Sequence, residues 1–480
     1  MHSYIFNGAP AEDDCRAVLY HFSPGAEARA IRIDASVEGG LRIQLMVWDS
    51  KKKLRCQYQP LPGKEPCFLS SASDVTTPEC LPGSFPAGKW TLAVIPFAST
   101  PAVHRAECSY RVTVTTLLDK GEQIKKGPDP LPVNPFASQA IHAEGRRWYA
   151  GDFHTHTRGS DGQMTLAEAV GTARERELDF FTVTDHNTLP LSLPDYGFLV
   201  IPGMEVTTGI GHVNLLGIDR HPQPSPEVVA EVADEVQCLE SYLEGCKNSD
   251  VLVSINHPAM APWDFEYPDF PLRRIHCLEV ICDPTWKTAP RDNLKALDLL
   301  TALWNNGYKV WGIGGSDYHM RPGESYEGAS IPAAIGLPAT RVFAEELSAA
   351  AILKSVATGR VIVSCELEIS AEFSLAGQRF LPGDTLPEDA AGELTATVTI
   401  VNATVPLDIR WVENGRVKAS ETISGNGTHR LVGTVDTSDP VWVRIELLSR
   451  TGELVGFINP VHRGRLPRRI HYWGELAGGS

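Results

Sequence analysis

GDFHTHTRGSDG (residues 151–162) sets His154 and His156 one residue apart and follows them with Asp161. In an extended chain, residues i and i+2 point to the same face, so both imidazoles can address one centre. Taken alone, the stretch is either a polar strand end or the opening of a metal site. The segments that follow decide between the two, and they decide the fold as well.

Downstream of this stretch, short apolar runs alternate with helical ones. DFFTVTD, FLVIPGMEV, HVNLLGI, VLVSINH, CLEVIC and VWGIGGSD read as strands. Between them, TLAEAVGTARERELD places Leu166, Ala169, Val170 and Ala173 on one helical face. SPEVVAEVADEVQCLESYLEG reads as one helix, with Ser225 as N-cap and Pro226 in the first turn. Such alternation over about two hundred residues predicts a parallel α/β barrel or open sheet.

The flanks differ in texture. ARAIRIDASV, LRIQLMVWDS, KWTLAVIPF and CSYRVTVTTLL alternate apolar and polar residues, predicting an N-terminal β-sandwich over 1–120. KKGPDPLPVNPF carries four prolines within a stiff linker spanning 121–146. After the α/β part, 147–362, strands return in ELTATVTIV, LDIRWVENGRV and VWVRIELLS, with an Asn-Gly turn in the second. They predict a second, immunoglobulin-like sandwich and tail over 363–480. The fold class expected is therefore β, then α/β, then β.

The chain has 480 residues, and 43 Lys and Arg against 59 Asp and Glu give it a net charge of -16. A surface this acidic argues against polymeric nucleic acid and anionic membranes as partners. It leaves room for a small-molecule substrate, because a metal cluster reverses the local sign. Homo-oligomerisation remains open. MHSYIFNGAPAEDD lacks a basic region followed by an apolar one, so a cytoplasmic location with reduced thiols is expected. None of the ten cysteines forms a CxxC pair, which argues against a zinc ribbon or a thioredoxin-type site.

The donors gather at predicted strand ends. His186 ends DFFTVTDH, Glu205 closes FLVIPGME, His212 opens HVNLLGI and His257 ends VLVSINH. Asp317 and His319 end VWGIGGSDYH, again at i and i+2. Each is weak evidence alone, but surface histidines scattered at random would not select strand ends, where ligands converge in α/β folds. Mixed imidazole and carboxylate donors suit Mn, Fe or Zn. Arg158 and Arg321 flank the motifs and are candidate clamps for a phosphate or carboxylate. Trp263, Phe265 and Tyr267 follow His257 and form either an aromatic lid or a loop packed on the rim.

HTH (154–156), SDG (160–162), TDH (184–186), PGME (202–205), GH (211–212), NHP (256–258) and GSDYH (315–319) occur in an order that resembles the polymerase-and-histidinol-phosphatase (PHP) superfamily. HTHTRGSDG, HVNLLGI and FINPVH (457–462) resemble its CehA/McbA-type branch. The resemblance covers about 147–362 and implies a distorted seven-stranded (β/α) barrel holding two or three divalent metals. It assigns His154, His156, Glu205 and Asp317 to one metal, Glu205, His212 and His257 to a second, and Asp161, His186 and His319 to a third. Many members carry histidine where this chain has Asp161. The implied chemistry is attack by a metal-bridging hydroxide on a small phosphorylated substrate, with Asp317, His319, Arg158 and Arg321 as catalytic candidates. The branch suggests carbamate, ester or amide hydrolysis instead, and a third possibility is a non-catalytic metal scaffold with β-sandwich binding modules.

Overall fold

The computed structural model describes the chain apart from residues 1, 10–14, 40–41, 62, 73–75, 99–107, 119–139, 192, 219, 248, 390, 438–439 and 477–480. The proline-rich part of the expected linker, KKGPDPLPVNPF, lies outside the described residues.

The N-terminal strands are β1 (His2–Gly8), β2 (Val18–Phe22), β3 (Ala30–Glu38), β4 (Arg42–Trp48), β5 (Leu54–Tyr58), β6 (Cys67–Ser70), β7 (Trp90–Phe97) and β8 (Ser109–Leu117). They form two four-stranded antiparallel sheets, β1-β8-β3-β6 and β2-β7-β4-β5. Period-2 alternation points Ile31, Ile33, Leu45, Val47, Leu92 and Val112 into a shared core.

The middle of the chain supplies β9 (Ala143–Thr155), β10 (Phe180–Val183), β11 (Leu199–Thr208), β12 (Gly211–Leu216), β13 (Leu252–Ile255), β14 (Cys277–Cys282) and β15 (Trp311–Gly315). These seven are neighbours in chain order within a thirteen-stranded mixed sheet. Pairing is parallel throughout except around β12, which is antiparallel to both β11 and β13. Past β15, Tyr318 bridges Thr155 in parallel, so the last strand of the row returns to the first.

Helix α1 (Leu166–Glu175) connects β9 to β10 and buries Ala169, Val170 and Ala173, with Leu166 packed at the edge. Its Thr165–Glu168 capping box satisfies the first turn. The single helix expected from 225 to 245 is two, α2 (Pro226–Glu231) and α3 (Glu235–Gly245). Asp234 is the reason: its carboxylate accepts from the Gln237 amide and starts a new helix. Helix α4 (Ala289–Asn305) joins β14 to β15.

The structure departs from the sevenfold strand–helix alternation expected of a (β/α)7 barrel. β11 and β12 form a hairpin, β10 runs to β11 without a helix, and only a one-turn 3-10 helix (Leu272–Arg274) precedes β14. The reason lies in length: Gly209 and Ile210 alone separate β11 from β12, which forces an antiparallel turn.

The sheet continues through β16 (Ala339–Leu347) and β17 (Val361–Ser364), with α5 (Ala349–Val356) between them. The boundary expected at 362/363 falls inside β17, and the one expected at 146/147 falls inside β9. The remaining strands are β18 (Glu368–Leu375), β19 (Gln378–Phe380), β20 (Gly392–Val401), β21 (Leu407–Glu413), β22 (Arg416–Ile423), β23 (Gly427–Val435), β24 (Val441–Leu448) and β25 (Leu454–Arg463). The sheet β19-β18-β20-β23 packs over the β25-β24-β21-β22 end of the long sheet, with Phe373, Trp411, Ile445 and Ile458 between them. Asn414 and Gly415, both at positive φ, make the expected turn between β21 and β22. No helix among the described residues is long and apolar enough to cross a membrane.

Candidate metal centre

All the donors singled out in the sequence lie at one end of the seven-strand row. His154 and His156 leave β9, His186 follows β10, Glu205 lies within β11 and His257 follows β13. His212 starts β12, but because β12 runs backwards its start lies at the same end. Asp317 follows β15 and donates its amide to the His154 carbonyl at 2.9 Å, and the His156 amide returns to Tyr318 at 3.0 Å. Those two bonds bring the first and last strands of the row together where their donors meet.

Glu205, fully buried, sits at the centre. Its Oε1 lies 3.2 Å from His154 Nε2, 3.1 Å from His212 Nδ1 and 3.4 Å from His257 Nε2. Its Oε2 lies 2.7 Å from His186 Nδ1 and 3.4 Å from His156 Nε2. Asp317 Oδ1 lies 3.0 Å from His156 Nε2 and 3.2 Å from His154 Nε2. Asp161 Oδ1 lies 3.2 Å from His319 Nε2 and 3.5 Å from His186 Nε2. One carboxylate facing five imidazoles exceeds what hydrogen bonding alone requires.

Three observations test whether these residues fit divalent ions. Donor atoms of His154, His156 and Asp317 lie within 4.8 Å of one another, as do those of His154, Glu205 and His257 and those of His156, Asp161, His186 and His319. Glu205 Oε2, Asp317 Oδ1, Asp161 Oδ1 and His257 Nδ1 are buried without a hydrogen-bond partner. The third is the demand for positive charge. Burial pushes the Glu205, Asp317 and Asp161 carboxyls up, yet neighbouring imidazoles outweigh it and hold all three well below the usual range. Burial conversely lowers His154 and His319, but the carboxylates win: His154 is raised well above its ordinary value and His319 to about 10. His156, buried and beside His319 and His186, is pushed down to about 3. The pocket draws cations to its carboxylates, and the donor set fits divalent metal ions.

The ligand candidates are held by a second layer that the sequence reading did not single out. Glu279 Oε1 lies 2.8 Å from His154 Nδ1, which leaves Nε2 facing the centre, and its Oε2 accepts the His257 amide at 2.8 Å. Its signal was present as the one carboxylate in the apolar strand CLEVIC. Asp152 accepts from the amides of His154, Ser316 and Gly336, tying β9 to the segment after β15. Asn256 Nδ2 donates to Glu205 Oε1 at 2.8 Å. His257 and Asp317 adopt positive φ (27° and 50°), a strained backbone for residues other than glycine.

Asp185 organises the first motif. It accepts from Thr157 N, Thr157 Oγ1, Ser160 N and Ser160 Oγ at 2.6–3.1 Å. Asp185→Ala is expected to release the 157–161 loop and weaken divalent metal binding roughly 10–100-fold. Isothermal titration with Mn²⁺ measures it, and unchanged affinity would show that the loop holds its shape without Asp185.

The N-terminal sandwich reaches the same loops. Arg42 Nη1 pairs with Asp161 Oδ2 at 2.7 Å, and Lys64 Nζ donates to the Gly159 carbonyl at 3.2 Å. Gln59 donates to the His186 carbonyl and to Thr188 Oγ1. These contacts span more than ninety residues of sequence, and no local pattern announces them. Arg158 and Arg321 lie outside the donor cluster; they line a cavity of about 590 Å³ together with Asp161, Lys64 and Glu79. Burial raises the Glu79 carboxyl to about 7.

The aromatic loop after His257 packs on the rim. Phe265 meets Phe270 and Trp473 edge-on, Tyr267 meets Phe270 edge-on, and Trp263 meets Trp286 edge-on. A separate group, also missed because its spacing matches no motif, is the buried trio Cys56, Cys67 and Cys80, with Sγ separations of 3.3 and 3.1 Å along the series.

No family model and no curated protein matches the chain. Among solved structures, the chain is similar to a two-domain protein from Bacteroides vulgatus containing a predicted PHP-like metal-dependent phosphoesterase, at 16% identity and a TM-score of 0.36. That match covers 69% of this chain and 98% of the other. An amidohydrolase from Chromobacterium violaceum is similar at 15% identity and a TM-score of 0.23, over 36% of this chain and 88% of its own. Likenesses this distant leave the function of this chain to be read from its own residues.

Proposed function

We propose that this chain is a metal-dependent hydrolase of the PHP type that cleaves a small phosphorylated substrate. The observation that carries the reading is the convergence of five imidazoles on Glu205, with Asp317 and Asp161 completing the rim. His154, His156, Glu205 and Asp317 would hold one ion, Glu205, His212 and His257 a second, and Asp161, His186 and His319 a third. Bound there, divalent ions supply Lewis acidity to the electrophile and lower the pKa of a water nucleophile from about 15.7 towards 7.

The chain's own groups do the remaining work. Glu279 and Asp152 fix the orientation of His154, and Asp185 fixes the loop that carries Asp161. Asp317, 22% exposed at its side chain, borders the open side of the cluster and is placed to take a proton from the nucleophile. Arg158, Arg321 and Lys64 line the cavity beside Asp161, together with Glu65, Glu79 and Asp185, and the two guanidinium forks are the groups that favour a phosphate over a neutral carbamate or ester.

The test is a parallel screen of phosphate monoesters, diesters, carbamates and aryl esters with Mn²⁺-loaded protein. The expected result is turnover of a phosphate ester, with KM raised roughly tenfold or more in Arg158→Ser/Arg321→Ser, since a charge-assisted contact contributes about 1.5–3 kcal/mol. Turnover of carbamates alone, with KM insensitive to both arginines, would replace this reading by the amide-and-ester one.

A further inference from the structure

The ends of β14 and β15 opposite the metal centre open onto a second cavity of about 590 Å³. Arg273 reaches it from the 3-10 turn before β14, Lys309 from the turn before β15, and Arg463, Arg465 and Arg468 from the segment ending and following β25. Among the described residues no aspartate or glutamate lines it. In a chain of net charge -16, five cations around one cavity with no carboxylate among its described lining residues run against the overall charge.

Arg463 is buried and donates to the Asp436 carbonyl, so the other four are the cations left to a ligand. Among the described residues Arg273, Lys309, Arg465 and Arg468 make no ion pair; Arg468 lies over the Tyr308 ring at 4.7 Å. Burial and the neighbouring Arg465 both press the Lys309 ammonium below its ordinary value, so the like charges interact. A second observation is independent of charge. His462 is 3% exposed, lines the cavity, and has a buried Nδ1 without a hydrogen-bond partner. Trp304, Tyr308 and Trp442 form the apolar wall behind it. An apolar wall with convergent donors is the usual composition of a small-ligand site.

We infer that this cavity binds a small ligand carrying two or more phosphate groups, separate from the substrate. Guanidinium forks match phosphate oxygens, and one phosphate dianion balances about two of the cations. Balancing Arg273, Lys309, Arg465 and Arg468 calls for a second phosphate. Asp317 lies eight positions after Lys309, a span on the order of 20 Å along a strand, so a ligand here does not touch the reacting atoms. The site is one for an effector, and it stands whether or not the metal centre hydrolyses phosphate esters.

The experiment uses inorganic pyrophosphate and metal-stripped full-length protein, with Arg158→Ser/Arg321→Ser removing the arginines of the other cavity. Isothermal titration should show one pyrophosphate bound per chain. Adding Arg465→Ser/Arg468→Ser should weaken it by at least about tenfold, because charge-assisted contacts are lost. Both arginines are exposed, and Lys309→Gln provides an independent second variant. No binding to the Arg158→Ser/Arg321→Ser protein, or binding that neither Arg465→Ser/Arg468→Ser nor Lys309→Gln weakens, would overturn the inference.

Discussion

Asp317→Ala is expected to lower kcat by roughly three orders of magnitude or more while leaving the metal-free fold intact. The carboxylate meets two imidazoles at 3.0 and 3.2 Å and has its Oδ1 buried without a hydrogen-bond partner. Its loss removes a ligand and the group placed to take the proton; several kcal/mol of transition-state stabilisation correspond to that fall in rate. Stability should follow a different course. Asp317 occupies φ 50°, which costs a non-glycine residue about 1–3 kcal/mol, whereas its carboxylate is stabilised by His154, His319 and His156. Asp317→Gly should therefore be as inactive as Asp317→Ala and more stable than it, because both lose the imidazole contacts and only glycine relieves the strain. Denaturant unfolding of both metal-free variants, run beside steady-state kinetics, separates the effects. A variant that lost stability in step with activity would show Asp317 to be structural.

Glu205→Gln should have the second large effect, in metal affinity and in acid stability alike. The substitution keeps the shape, but it removes the one charge that His154, His186, His212 and His257 share. Two of the three proposed ions use Glu205, so divalent affinity should fall at least 100-fold and turnover with it. The pH dependence has a definite sign in the metal-free protein. Glu205 is held below its unfolded value of about 4.5, so its contribution is present above that pH and is lost as pH falls through the lower folded value. Glu205→Gln should thus be less stable at neutral pH, and its stability should fall less on acidification than that of the parent. Equal losses of stability in both proteins between pH 6 and pH 3 would contradict the central place given to Glu205.

Much of this site was legible because the donors obey local rules. His154 and His156, like Asp317 and His319, are spaced at i and i+2, and strand geometry puts such pairs on one side. His212 was legible for a subtler reason: it opens its strand whereas the other donors close theirs, and the reversal of β12 is what reconciles them. The supporting layer was not legible. Glu279 is a lone carboxylate in an apolar strand, and nothing in CLEVIC says that its two oxygens serve His154 and His257. Arg42 meets Asp161 across 119 residues, from a sandwich whose alternating pattern predicts only its own core.

The fold shows the same division. Strand existence followed from apolar runs and turn residues, as in the Asn414–Gly415 hairpin. Connectivity beyond neighbours did not. The sheet that carries the candidate metal centre runs through β17 into β25 and β24, so the C-terminal sandwich shares a layer with it. Residues 361–364 and 454–463 pair as ordinary strands, and the sharing is a long-range fact that period-2 alternation does not encode.

The most direct test of the account is elemental analysis of the purified chain after loading with Mn²⁺ and removal of free metal, beside Asp317→Ala and Glu205→Gln. The account predicts two or three tightly held ions per parent chain and fewer in each variant. A well-loaded parent protein holding fewer than two ions per chain would contradict it.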